Sequence, residues 1–475
     1  MKKYKIITIS DAPIATSGVA ISAGVLFRGL LNTGKYEIKS IGSAIKHPSY
    51  ETISPLPDWI IKPTDGFADR NIIRQIIATE KPSALFIFTD PRFFMHVFEM
   101  EDEIHQVCPI VYWSVWDAPP KPIFNNVLYD STDLLNCISW LTYEMLSEDF
   151  PDRTNYVPHA FPKNMYYPLP QDKINELKAK HFGPRKDWFT ALWVNRNAHR
   201  KQPGELIQCW KMFLDLLQER EGHKNAILLM HTDPVDVEGT NLPYVADYFG
   251  VTDNIIFSPQ KVGFEEMNMI HNMSDVTVTI SRAEGFGMGA CQSMQVGKPI
   301  IAGKTGGLTR QVVDWRDGSE HGVALNVVKR ALNGSLQCPM IYDDFFSQTD
   351  VAEAFYKIFK MTPEEKEAMS EKVRKYVDFE FNYDRMIADW DRTLTETIEK
   401  WKQGKLPNNK KWVLKELTGK LNSVNPNNSS MNIQNTIPIV NIPNNNGGPT
   451  ISVKRPKDIK SLISSNNNKK DIITR

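Results

Sequence analysis

The chain has 475 residues, of which 41% are hydrophobic and 24% charged, and its 56 basic and 56 acidic residues give a formal net charge of zero. This length favours two domains over one core, and the composition is that of an ordinary globular protein. Balanced charge excludes a global field directed at nucleic acid or anionic lipid. No apolar run is long enough to span a membrane, and five scattered cysteines without a C-x-x-C pair are typical of reduced thiols, so we expect a cytoplasmic protein.

Short apolar runs alternate with helical stretches along the first third of the chain. Because these runs lack polar alternation, they predict strands covered on both faces, and hence a parallel sheet. The loop after the first strand, at 16–20, lacks the G-x-G-x-x-G pattern, which argues against an ordinary dinucleotide-binding site. The predicted strands are 5–10, 84–89, 110–115, 134–139 and 155–158.

A cluster of prolines at 162, 168 and 170 predicts a break between two domains. A second α/β series follows it, so we predict an N-terminal Rossmann-like domain at 1–162 and a second one at 172–384. Two doubly wound domains in tandem place a cleft between the carboxyl ends of their sheets. The strands predicted in the second series are 189–194, 226–231, 254–257, 275–280 and 299–302.

The end of the chain changes character. Thr362-Pro363-Glu364-Glu365 predicts a helix start with a capping box, and a further helix is predicted at about 385–402. From 408 to 475 the sequence is rich in Asn, Pro and Ser, a composition that favours a disordered tail. The tail is either a low-complexity extension or, through its basic end, a tether to an anionic partner.

The segment 281–299 is the most informative in the chain. Its pattern predicts a strand, a tight glycine loop, a short helix and a second strand. Glu284 lies in the loop beside Gly285 and Gly287, whose backbone has no side chain to cover it. The helix that follows directs its free N–H groups at the same place, which makes an anion site. An acid next to an anion site indicates a ligand with both phosphate and hydroxyl groups, such as a sugar nucleotide.

This segment closely resembles the signature of retaining glycosyltransferases of the GT-B fold, the group 1 or family 4 type. Its Glu-Gly-Phe-Gly loop and its exit through Gly297 and Pro299 match the family pattern, and Gly297 is predicted to be the C′ residue of the helix. The resemblance implies an α/β GT-B architecture of two Rossmann-like domains. It also implies that the helix at 385–402 crosses back to complete the first domain.

The resemblance also implies roles for the glycine loop. Glu284 would accept hydrogen bonds from hydroxyls of the transferred sugar, and the loop backbone would contact the sugar and phosphate. The family has a second Glu eight positions later, where this chain has Gln292, so we interpret Gln292 as a weakened ribose contact or as a core residue. The donor-binding candidates of this loop are Gly285, Phe286, Gly287, Met288 and Gln292, with the ring of Phe286 assigned to packing.

Two cations follow the first strand of the second domain. Arg196 and Lys201 resemble the Arg-x-x-x-x-Lys element with which the family holds the diphosphate, a role that needs no metal. The neighbouring Arg200 is interpreted as a bystander. Gly18 stands where the family's first glycine loop approaches the donor phosphates.

Many relatives carry a His in the cleft after the strand at 110–115, but this chain has Trp116 and Asp117 there. We interpret this pair either as a lining of the sugar cleft or as a packed Trp and a turn-forming Asp. The D-x-D sequence at 389–391 falls in a predicted helix, where residues two apart do not face together, so we expect no metal site and no cofactor.

The resemblance implies a metal-independent retaining hexosyltransferase. Its partners would be a nucleotide-diphosphate sugar and an acceptor hydroxyl on a glycan, a lipid-linked sugar or another molecule. Two alternatives remain open. One is a DNA-modifying glycosyltransferase acting on a hydroxymethylated base, and the other is a sugar-nucleotide- or glycan-binding protein without turnover.

Overall fold

The computed structural model describes residues 2–43 and 49–410. The first of its two large sheets is built by the N-terminal strands β1 (Tyr4–Asp11), β2 (Tyr36–Ser43), β3 (Ile53–Leu56), β4 (Trp59–Pro63), β5 (Ala84–Phe88), β6 (Ile110–Ser114), β7 (Leu134–Cys137) and β8 (Thr154–Tyr156). Their order is β3-β4-β2-β1-β5-β6-β7-β8, and only the β3–β4 pair is antiparallel among these described strands. Every residue of β5 and β6 is buried, which confirms a parallel sheet covered on both faces. The connecting helices are α1 (Gly18–Asn32), α2 (Arg70–Glu80), α3 (Met95–Phe98), α4 (Glu101–Ile104), α5 (Asn126–Asp130) and α6 (Trp140–Ser147).

The second sheet consists of β9 (Phe189–Val194), β10 (Ala226–His231), β11 (Ile255–Phe257), β12 (Val276–Thr279), β13 (Ile300–Gly303) and β14 (Gly322–Leu325). Its order is β11-β10-β9-β12-β13-β14, with all neighbours parallel. This is the doubly wound order in which the first and fourth strands are neighbours. The helices in the rest of the chain are α7 (Gln171–Phe182), α8 (Pro203–Glu221), α9 (Leu242–Tyr248), α10 (Phe264–Met273), α11 (Met288–Gln295), α12 (Thr309–Val312), α13 (Gln348–Phe359), α14 (Pro363–Glu380) and α15 (Tyr383–Lys402).

A hairpin that the sequence did not predict follows β14. Its strands are β15 (Val327–Asn333) and β16 (Ile341–Phe346), paired antiparallel. The amide of Tyr342 donates to the carbonyl oxygen of Pro119, 2.9 Å away, so the hairpin reaches the segment that follows β6 in the first sheet. The amide of Asp344 donates to the carbonyl oxygen of Arg282 at 3.0 Å. The hairpin therefore bridges the two halves of the chain beside the 281–299 segment.

Two predicted helix boundaries are confirmed. Thr362 caps α14 through its side chain, and Glu365 completes the capping box. Gly297 follows the end of α11 with φ of 82°, as expected of a C′ residue. All five cysteines are buried and unpaired. The predicted tail at 408–475 falls outside the described residues from 411 onward.

The terminal helix α15 packs against the first sheet. Its Trp390 is fully buried, with ring centroids 5.3 Å from Phe86 and 5.4 Å from Trp113. Its Asp391 accepts a 2.7 Å hydrogen bond from the hydroxyl of Tyr36 in β2. The second Asp of the D-x-D sequence therefore anchors the helix to the sheet.

A second connection between the halves is centred on Arg310 of α12. Its guanidinium lies 3.6 Å from the ring centroid of Trp140 in α6 and 4.8 Å from that of Trp315. The same group forms a 3.2 Å ion pair with Glu380 of α14, a carboxylate that also accepts a 2.8 Å hydrogen bond from Tyr156 in β8. Since the side chain of Glu380 is only 5% exposed, its charge depends on these partners.

We predict that Arg310→Met destabilises the fold by about 3 kcal/mol, because it leaves a buried carboxylate without its cation. The shift in urea midpoint measures this loss. Arg220→Met is the matched control, since Arg220 also stacks on an aromatic ring and pairs with an acid, Glu353, but both side chains of that pair are exposed, at 37% and 43%. Equal midpoint shifts in the two variants would contradict the assignment of Glu380 as a buried charge held by Arg310.

Candidate functional site

The order of the second sheet determines where the candidate site forms. Strands β9 and β12 are neighbours, although 81 residues separate the end of β9 at Val194 from the start of β12 at Val276. Chains leaving such central strands diverge and open a crevice at the carboxyl edge. The segment after β9 contains Lys201, and the segment after β12 contains Glu284, so the topology brings these two side chains together.

Lys201 and Glu284 form an ion pair that is largely removed from solvent, with side chains 8% and 15% exposed. The Ser281 hydroxyl donates to the same carboxylate at 3.4 Å. Burial on its own would raise the pKa of Glu284, but the charges of Lys201 and Arg200 outweigh it and hold that pKa below its ordinary value. A buried ion pair adds little net stability, so a role in folding is a weak reason for its presence. Ionisable groups with shifted pKa values cluster at functional sites, which makes this pair a candidate functional site.

Three backbone segments meet at this ion pair because two of them carry glycines. Gly306 has φ of 49°, and a Cβ there would collide with the carbonyl oxygen of Glu284 and lie 2.7 Å from that of Asp117. The amide of Gly307 donates to the carbonyl oxygen of Glu284 at 2.8 Å. A Cβ at Gly285 would lie 3.8 Å from the Cβ of Asp117. The loop after β12, the loop after β13 and the segment after β6 therefore pack backbone against backbone.

Two helix N-termini from opposite sheets also meet here. Helix α11 begins after Gly287, whose φ is 93°, and has no side-chain cap on its first amides. The side chain of Met288 lies 3.3 Å from where a Cβ of Gly18 would be, at the start of α1, and accepts a weak hydrogen bond from Ser22. Uncapped amides at a helix N-terminus carry partial positive charge and attract anions. The structure thus brings Gly18 and Met288 together.

Of the two cleft candidates after β6, only Asp117 faces the ion pair. Trp116 is 4% exposed and packs edge-on against Phe124, with ring centroids 5.7 Å apart. Asp117 Oδ2 lies 3.9 Å from Arg200 Nη1. Burial raises the pKa of Asp117, and Arg200 partly offsets that shift. The position of Trp116 favours the interpretation as a packed residue.

Arg196 is engaged elsewhere. Its guanidinium makes two hydrogen bonds to Asp236, at 2.9 and 3.1 Å, and lies 3.1 Å from Glu238. The hydrogen bond to Asp236 raises the pKa of Arg196. The diphosphate role of this residue stays a prediction.

Gln292 and Phe286 also contact protein groups. Gln292 Oε1 lies 3.1 Å from His271 Nε2, and its amide nitrogen donates to the hydroxyl of Tyr166 at 3.0 Å. These contacts favour the interpretation of Gln292 as a core residue, and its ribose contact stays a prediction. The ring of Phe286 packs edge-on against His159 and Phe381, as predicted for its side chain.

Arg200, interpreted from the sequence as a bystander, lies at the centre of the site. Its guanidinium donates to the carbonyl oxygen of Ala283 at 3.3 Å, and its charge acts on Glu284, Asp117 and Lys201. The available signal was its position directly before Lys201. The family spacing drew attention to Arg196 instead.

In the described part of the chain, no three or more His, Cys, Asp or Glu side chains are grouped so as to hold a metal ion. Among residues 2–43 and 49–410, no helix is long and apolar enough to cross a membrane.

Two solved structures are similar to this chain over most of its length. Sucrose-phosphate synthase from Thermosynechococcus elongatus superposes with a TM-score of 0.62 at 15% identity, covering 84% of this chain and 99% of that one. Anabaena HepE in complex with UDP-glucose superposes with a TM-score of 0.61 at 12% identity, covering 82% of this chain and 99% of that one. At such identities the similarity shows the fold, which is GT-B, as predicted.

Sequence comparison locates the family within the second half. The D-inositol 3-phosphate glycosyltransferase of Acidothermus cellulolyticus is 26% identical over 169 residues, which is 35% of this chain and 37% of that enzyme. The match thus spans well under half of that relative's length. The profile of the family described as glycosyl transferases group 1 matches residues 175–323, a stretch that contains both Lys201 and Glu284. This GT-B chain therefore contains a segment, 175–323, that is similar to the group 1 glycosyl transferases.

Proposed function

We propose that this protein is a metal-independent, retaining glycosyltransferase that uses a nucleotide-diphosphate sugar. The observation that carries the proposal is the buried Lys201–Glu284 pair at the switch point of the second sheet, beside the uncapped N-terminus of α11. A cation and free backbone amides can bind a diphosphate, and a carboxylate can accept hydrogen bonds from sugar hydroxyls. The matched family and the GT-B fold support the same reaction class.

Lys201 and the amides of α11 act on the leaving group, and Glu284 acts on the sugar. The bond between the anomeric carbon and the phosphate oxygen breaks, and its electron pair goes to the diphosphate, whose charge Lys201 and the α11 amides stabilise. Glu284 holds hydroxyls of the oxocarbenium-like sugar. The acceptor oxygen adds to the face that the diphosphate leaves, and its proton passes to the leaving phosphate oxygen, which gives retention of configuration.

The relatives suggest a first choice of substrates. The enzymes named above include an inositol-phosphate glycosyltransferase and a sucrose-phosphate synthase, and HepE was solved with UDP-glucose. We propose that the acceptor is a hydroxyl of a small phosphorylated polyol or sugar and that a UDP-sugar is the first donor to test.

We predict that the protein releases nucleotide from one member of a panel of UDP-, GDP-, ADP- and dTDP-sugars, with phosphorylated sugars and polyols as acceptors. Glu284→Gln should lower kcat/KM about 100-fold or more, since it removes a charged contact to the reacting sugar. Glu371→Gln, an exposed change on α14, is the matched control. Product NMR should show the anomeric configuration of the donor.

Three results would count against this proposal. Full activity in the Glu284→Gln variant would show that Glu284 has no role in the reaction. An inverted product would overturn the retaining mechanism. Binding of a donor without release under any acceptor would favour a sugar-nucleotide-binding protein.

We also predict that Gly306→Ala abolishes most turnover, because a Cβ there collides with the carbonyl oxygen of Glu284 and separates it from Asp117. Gly318→Ala is the matched control. Gly318 has φ of 75°, so alanine there meets similar backbone strain, but a Cβ would have no neighbour within 4 Å. Similar kcat/KM losses in the two variants would show that strain, and not the close approach, is responsible.

A further inference from the structure

The hairpin of β15 and β16 is placed by its contacts with the rest of the chain. An isolated two-stranded hairpin is at best marginally stable in water, and β15 is largely exposed. Its attachment begins at Phe346, which packs against the end of β13. A Cβ at Gly303 would collide with the Phe346 ring, so the glycine lets β16 approach the second sheet closely. The end of β16 is thereby fixed at the carboxyl edge of that sheet, where the candidate site lies.

Asp344 of β16 contacts both loops that form the candidate site. Its amide donates to the carbonyl oxygen of Arg282, two residues before Glu284, at 3.0 Å. Its carboxylate accepts a 2.8 Å hydrogen bond from the hydroxyl of Thr305, the residue directly before Gly306. One residue of the hairpin therefore holds the loop after β12 through its backbone and the loop after β13 through its side chain.

The contact between Asp344 and Thr305 is removed from solvent. The Asp344 side chain is 1% exposed, and Thr305 is buried. Arg330, directly opposite on β15, balances the charge, with its Nε 2.6 Å from Oδ1 and its Nη2 3.2 Å from Oδ2 of the carboxylate. A hydrogen bond to an ionised acceptor is roughly twice as strong as a neutral one, and a low local dielectric strengthens it further. The pairing of the two strands thus gives Thr305 a strong, buried attachment point.

Thr305 is linked to Glu284 through two glycines. Gly306 approaches the carbonyl oxygen of Glu284 so closely that a Cβ would collide with it. The amide of Gly307 donates to that same oxygen at 2.8 Å. Because the segment 305–307 packs on the backbone of Glu284, a shift of Thr305 also shifts the carboxylate that is assigned to the sugar.

We propose that Asp344 is a positioning residue for sugar transfer. Through Arg282 and Thr305 it fixes the two loops around Glu284, and so it sets where this carboxylate meets the transferred sugar. Asp344 acts through these loops and not on the substrate. The inference rests on the proposed function and makes the hairpin a part of the active site. Lys201 follows β9 and the α11 amides belong to a largely buried helix, so diphosphate binding is affected less and the effect falls mainly on kcat.

The test measures kcat and donor KM of the full chain for Asp344→Ala, Thr305→Val and Thr305→Ser, with the donor that the wild type uses. Asp344→Ala and Thr305→Val should each lower kcat about tenfold or more and change KM less than about threefold, since small misplacements of a reacting group slow the chemical step strongly. Thr305→Ser keeps the hydroxyl and should recover most of the loss. Because both single changes break the same contact, a double variant of Asp344→Ala and Thr305→Val should lose little more than Asp344→Ala alone.

Asp314→Ala is the matched control. Asp314 also has a buried side chain, 5% exposed, and it also accepts two hydrogen bonds from one guanidinium, that of Arg316. Its loss should lower the unfolding temperature similarly to Asp344→Ala but leave kcat close to that of the wild type. Exchange of the amide hydrogens in 304–308, followed by mass spectrometry, should be faster in Asp344→Ala than in the wild type and unchanged in Asp314→Ala.

Wild-type kcat in Asp344→Ala or in Thr305→Val overturns the inference. An equal fall of kcat in Asp344→Ala and Asp314→Ala also overturns it, because lost stability would then explain both. Unchanged amide exchange in 304–308 would contradict the role of Asp344 as a positioning residue. In all three cases nucleotide release by the wild type leaves the proposed function standing. If the wild type releases nucleotide from none of the donors, the proposed function falls, and this inference falls with it.

Discussion

The buried ion pair between Lys201 and Glu284 is the interaction on which the site depends. It exists because the second sheet places β9 beside β12, so that two loops distant in the chain leave the sheet at adjacent positions. Neither charge has much solvent around it, so each depends on the other. Such a pair is a costly way to stabilise a fold but a suitable one for a ligand that brings both a diphosphate and hydroxyl groups.

The second constraint is the approach of the two halves at this pair. Glycines at 285, 306 and 307 let the loops of the second sheet contact the segment around Asp117 without intervening side chains. Two other connections hold the halves in register, the packing of Trp390 on the first sheet and the link from Arg310 to Trp140. The hairpin of β15 and β16 adds a third through Tyr342 and Pro119. Domain closure, which would exclude water during transfer, has to operate within these contacts.

The sequence predicted best what depends on local pattern. Continuous apolar runs gave β9 and β10 with the bounds that the structure has, and capping residues gave the start of α14. Strand β2 was missed because its Tyr-Glu-Ile-Lys start alternates, although the strand lies inside the sheet. The hairpin was missed because its first strand is largely exposed and neither of its strands is a continuous apolar run.

Pairing between distant side chains was the part that the sequence left open. Spacing identified Arg196 and Lys201 as candidates, but only the fold shows that Asp236 and Glu238 neutralise one of them while Arg200 reaches Ala283. Gln292 is a similar case, because its partners His271 and Tyr166 come from other elements. The glycine loop could be identified from the sequence because the residues that define it lie in one short segment.

The most direct test of the account exchanges the two charges, Lys201→Glu with Glu284→Lys, and measures both thermal unfolding and nucleotide release from the donor that the wild type uses. The exchange restores an ion pair but places a cation at the sugar and an anion at the diphosphate. We predict an unfolding temperature close to that of the wild type and a release rate lowered about 100-fold or more. Recovery of turnover in the exchanged variant would contradict the account, because the pair would then be only a structural support.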